Sequence, residues 1–148
     1  MAERLFQFRL HSSHHGPDRQ SEDVVVEFLT DAGEWQSQEL SLAMPGFRLY
    51  LISLLLCQHV YLVANARERG LPLQAVDADF KVTTSSDWIL KRVEGDFRLR
   101  LDPAAADQER GRVDAEAMAH LQERMTLCPV SRNLPGGVHK RIDLRLLG

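Results

Sequence analysis

Two cysteines, Cys57 and Cys128, are the residues best suited to chemistry in this 148-residue chain. A thiolate is a strong nucleophile, and two thiols that meet can cycle between dithiol and disulfide with transfer of two electrons. Cys57 ends the run Leu54-Leu55-Leu56-Cys57, where a cysteine ordinarily fills space as a small hydrophobe and burial raises its pKa. Cys128 stands in Leu127-Cys128-Pro129-Val130-Ser131-Arg132. If Pro129 opens a helical turn, backbone N–H groups and the positive end of the dipole favour the Cys128 thiolate. The alternative is a turn cysteine with no role.

Other chemistries find less support. His11, His14 and His15 cluster in a polar segment, residues 11–21, that reads as a solvated loop centred on Gly16 and Pro17. No neighbouring cysteine or suitably spaced carboxylate completes a metal-ligand set there. His59 lies two residues from Cys57, hence on another helix face, and is expected to be an interior or interface histidine. Trp35 and Trp88 are expected to be sheet residues. A glycine-rich phosphate loop, a CxxC pair and a serine-nucleophile elbow are all missing from the sequence, so no metal or cofactor is expected.

A net charge of -3 gives no electrostatic reason to expect nucleic acid or an anionic membrane as partner. The apolar run over residues 49–64 is interrupted by Ser53, Gln58 and His59. It is also shorter than the roughly 20 residues that cross a bilayer, which predicts a buried core helix. No charged segment precedes an apolar stretch at Met1. Cytoplasmic, reduced thiols are therefore expected.

The elements that must position the cysteines are legible in the hydropathy pattern. Phe6, Phe8 and Leu10 alternate with polar residues, as do Val24, Val26 and Phe28, and Asp31-Ala32-Gly33 can turn into a strand at residues 35–40. Pro45 can open a helix of about 24 residues, apolar almost all round, ending at Arg67, Arg69 and a left-handed Gly70 before Pro72. One small sheet cannot cover such a helix, so a second copy of the chain is the economical cover. Period two returns at Val76, Ala78, Phe80 and Val82 and again over residues 88–101. Residues 102–112 read as a linker with one helical turn at most. Asp114 can cap a helix with core stripe Ala117, Met118, Leu121 and Met125, and a last strand holds Val138, Ile142, Leu144 and Leu146, with Lys140 marking an edge. The length suits a single α+β domain over residues 1–148.

A long apolar helix with a central cysteine that runs into Arg67-Glu68-Arg69-Gly70-Leu71-Pro72-Leu73, a β-hairpin, and a helix leading into Cys128-Pro129-Val130-Ser131 resembles the OsmC/Ohr family. The resemblance covers the chain in element order. It implies an intertwined homodimer with antiparallel sheets wrapped around long buried central helices and active sites at the dimer interface. It also implies thiol-dependent reduction of organic hydroperoxides. Cys57 would attack, Cys128 would resolve the sulfenic acid to a disulfide, and a dithiol reductant would restore both. Leucines around Cys57 suit an alkyl hydroperoxide. Active members carry a glutamate ten residues before the first cysteine, where this chain has Phe47, and an arginine paired with it, for which Arg19 is the candidate and Arg48 a substitute. With Phe47 there, the arginine loses that carboxylate. Two rivals remain open: a catalytically quiet protein binding an apolar small molecule, and a redox sensor.

Overall fold

The computed structural model describes residues 2–16 and 19–147. The period-two segments become six strands: β1 (Arg4–His15), β2 (Gln20–Leu29), β3 (Trp35–Ser37), β4 (Leu73–Thr84), β5 (Leu90–Leu101) and β6 (His139–Leu147). Trp88, expected in the sheet, lies instead in the turn between β4 and β5, where its backbone N–H is donated to the Ser85 carbonyl. The strands form one sheet in the order β3-β2-β1-β4-β5-β6. Every neighbouring pair is antiparallel except β5–β6, which is parallel. A parallel neighbour needs a crossover of a dozen or more residues, and residues 102–138 supply it.

β1 runs further than its apolar pattern suggests. Residues 11–15, expected as loop, continue the strand, with Ser12 and His14 turned inward and fully buried. The alternation persists, but its inward positions are polar and bond one another, so hydropathy alone misses it. Pro17, expected at the loop's centre, lies outside the described residues.

The inward face of the sheet carries Phe8, Leu10, Val76, Phe80, Val82, Val93, Phe97 and Leu99, all 2% exposed or less. Its outward face is a lattice of ion pairs, among them Arg9–Glu27, Arg98–Asp79, Arg141–Glu94 and Arg145–Asp96. Such exposed pairs contribute about 0–1 kcal/mol each, yet they leave that face needing no cover.

Helix α1 (Gly46–Glu68) lies over the inward face, with α2 (Asp107–Arg110), α3 (Ala115–Thr126) and α4 (Pro129–Arg132) in the crossover. α1 begins after Pro45 and stops where the sequence says it should. Gly70, at φ +66°, donates its N–H to the Arg67 carbonyl, and the Leu71 N–H reaches back to Ala66, each at 3.0 Å. That paired closure is the Schellman cap, which requires a left-handed residue at the glycine position.

At 23 residues α1 is longer than the run over residues 49–64, and it is long and apolar enough by length and composition to cross a membrane. The length argument against a span does not extend to the whole helix. Here α1 packs on the sheet and against α3 and α4. Its burial is one-sided: Leu51, Leu55, His59, Leu62 and Ala66 face inward, while Val60 is 58% and Tyr50 38% exposed. Tyr50, Ser53, Cys57, Val60 and Ala64 recur at steps of three and four and so form one stripe that this chain leaves open to varying degree.

Candidate active site

Cys57 is placed by α1 alone, on the open stripe, and is partly exposed. Cys128 takes more construction. The Asp114 carboxylate accepts the Ala117 N–H at 2.8 Å and starts α3, whose Ala117, Leu121 and Met125 are buried. Arg124 Nε donates to Asn65 Oδ1 at 3.2 Å and ties α3 to α1. α3 ends at Thr126 with Leu127 as its cap, Pro129 opens α4, and Cys128 becomes its N-cap, with Sγ accepting the Ser131 N–H at 3.3 Å. The thiol of Cys128 is thereby fully buried beneath α1, with the Cys57 thiol near enough to act on its titration.

The expected α4 turn is present, but the thiolate expected at Cys128 is not favoured. Burial, and after it the neighbouring Cys57 thiol, pushes the Cys128 pKa up to about 11. The N–H groups of Ser131 and Val130 act the other way and lose, because a one-turn helix offers little dipole against full desolvation. Cys128 therefore keeps its proton through the physiological range. One thiol per chain should alkylate with iodoacetamide at pH 8, at Cys57. Cys128 should follow only in denaturant or well above pH 10, as mass mapping would show. Faster labelling of Cys128 than of Cys57 would contradict this placement.

The cations are sorted less simply. Arg19 Nη1 donates to Asp102 Oδ2 at 2.9 Å. With Ala64, Arg67 and Glu68 it lines a depression of about 620 Å³. Ala64 lies seven residues beyond Cys57, on the same face of α1 and about 10 Å along it. Arg48 precedes Cys57 by nine residues, which puts it half a turn round, on the opposite side of the helix. It stacks over Phe28 and donates to Gln38 Oε1 at 3.3 Å.

The fold was compared with solved structures. A Psychrobacter arcticus 273-4 protein assigned to the osmotic stress induced and detoxification response aligns over 91% of this chain and 93% of its own. Its TM-score is 0.55 at 10% identity. An OsmC-like hydroperoxide resistance protein from Jannaschia sp. CCS1 aligns over 87% of this chain and 85% of its own, with TM-score 0.55 at 18% identity. This chain has the OsmC fold. No protein-family model matches its sequence, and no curated protein does either.

Within this OsmC fold, Phe47 occupies an aromatic cluster with Phe6 at 5.4 Å, Trp88 at 5.6 Å and Tyr50 at 6.3 Å. Phe47 offers no carboxylate, and Arg19 is anchored by another acid, Asp102. Nothing in the spacing of residues 19 and 102 announces this pair. It exists because the segment entering β2 and the one leaving β5 converge at the end of α1.

The OsmC fold also buries a polar trio that the sequence hides. Ser12 Oγ lies 2.8 Å from both His14 Nε2 and His59 Nε2. Burial, with the neighbouring His14 adding to it, lowers the His59 pKa to about 4. His14 is lowered too, chiefly by burial. In the unfolded chain these imidazoles titrate near 6.5, so acid favours unfolding: stability is complete above that pH and is lost as pH falls toward 4. For His59 the loss amounts to about 2 kcal/mol by pH 5 and about 3 kcal/mol by pH 4. Urea midpoints at pH 7.5 and 5.0 should show it, and His59→Gln should flatten the difference. An equally steep dependence in that variant would clear His59 of the effect.

Proposed function

We propose that this protein is a thiol-dependent hydroperoxide reductase acting as a homodimer in the cytoplasm. The observation that carries the reading is the unequal pair: a partly exposed Cys57 beside a fully buried Cys128, whose burial favours the protonated thiol. The attacking sulfur must meet substrate, whereas the resolving one must wait. The Cys57 thiolate attacks the distal oxygen of ROOH; the O–O bond breaks, RO⁻ takes a proton and leaves as alcohol, and Cys57 becomes sulfenic acid. Cys128 then attacks the Cys57 sulfur, and hydroxide leaves with the Cys128 proton as water. An external dithiol reduces the disulfide by exchange and is itself oxidised.

Val60 and Leu56 on the Cys57 side of α1 suit an organic peroxide, and Arg19, held by Asp102 on the same face, is the candidate cation for the peroxide oxygens. Likeness of fold to a protein named for hydroperoxide resistance supports the class of reaction. One equivalent of cumene hydroperoxide should remove both thiols per chain, with steady consumption once dithiothreitol is added. Disulfide without turnover would favour the sensor, and unreacted thiols the quiet binder.

A further inference from the structure

Across α1 from Cys57, at the end of the sheet where β1 begins, lies a depression of about 430 Å³. Its lining includes Arg4, Phe6, Phe28, Asp31, Arg48 and Trp88. Arg9, Arg19, Arg98, Arg110, Arg141 and Arg145 each pair with a carboxylate. Arg4 instead lies 4.6 Å over the Trp88 ring and Arg48 4.5 Å over Phe28. Their hydrogen bonds go to neutral acceptors, the Ser86 carbonyl and Gln38 Oε1. Among the described residues neither meets a carboxylate in an ion pair, so Asp31 leaves the lining with a net charge of +1.

Stacking fixes a guanidinium plane and leaves its remaining N–H groups aimed outward in a fork that matches a carboxylate. Trp88 is held at φ +68°, a left-handed conformation costly for a bulky residue. Contacts to Phe6 at 5.4 Å and to Phe47 at 5.6 Å keep its indole in the wall. A pair of stacked guanidinium groups that Asp31 offsets only in part, over aromatic walls, is built for an anion with a flat apolar body.

We propose that this depression binds an aromatic carboxylate, independently of the thiol chemistry on the other side of α1. The carboxylate sits between Arg4 and Arg48, and the ring lies against Phe6 and Trp88. The test uses Trp35→Phe protein, so that fluorescence reports Trp88 alone, titrated with 1-naphthoate and with the neutral 1-naphthalenemethanol. Saturable quenching by naphthoate is expected, at least tenfold tighter than by the alcohol and weakened by 0.5 M salt. Arg4→Gln and Arg48→Gln should each weaken it about tenfold or more, with thermal melts checking that both variants fold. Equal affinity for acid and alcohol in the unmutated depression would overturn the proposal, as would no saturation by millimolar naphthoate. Peroxide turnover is scored separately, so either reading can fail alone.

Discussion

Replacing Cys57 by serine should abolish peroxide consumption, while Cys128→Ser should consume one equivalent and stop as sulfenic acid. The asymmetry follows from burial. Cys57 borders the open stripe of α1, and Cys128 has no solvent-exposed surface. Without Cys57 the remaining thiol is still held protonated by its burial and lies out of a substrate's reach. Without Cys128 the sulfenic acid has no neighbour to condense with, so dimedone should trap it, adding its mass at Cys57. The Ser131 N–H can still be accepted by a serine hydroxyl at position 128, so the fold should persist. Turnover by both variants at the intact protein's rate would refute the thiol mechanism.

Val60→Asp should convert the proposed dimer to monomers without unfolding the chain. In one chain Val60 is 58% exposed, and a surface substitution of that kind ordinarily changes stability by less than about 0.5 kcal/mol. Covered by a second copy, the same carboxylate is buried without a partner, at a cost of about 3–5 kcal/mol. A twofold interface meets the change twice, so the dissociation constant should rise by more than about 100-fold. Sedimentation should move to the 16.8 kDa of one chain, with circular dichroism and melting nearly unchanged. An undisturbed dimer would place the contact elsewhere, and a monomeric parent would remove the interface altogether.

How far the sequence reveals this molecule depends on the kind of interaction. The limits of α1, the Asp114 cap and the strand at residues 73–84 are set by near neighbours, and local pattern exposes them. The pairing of Arg19 with Asp102 joins positions far apart in sequence, which no local period encodes. Cys128 shows both sides of this. Its turn before Pro129 was legible, but the state of its thiol depends on desolvation by α1, and that exists only after packing. Strand β1 beyond Leu10 was hidden for the opposite reason, since its inward residues are as hydrophilic as its outward ones.

The hydroxyl of Ser12 has one hydrogen to share between two imidazoles at equal distance. It can donate to one Nε2 and must accept from the other, so His14 and His59 hold opposite tautomers at that nitrogen. Residues alike in chemistry and burial are thereby made unlike, and the three groups form a wire with a direction. Rotation of one hydroxyl, with two tautomer changes, would reverse it.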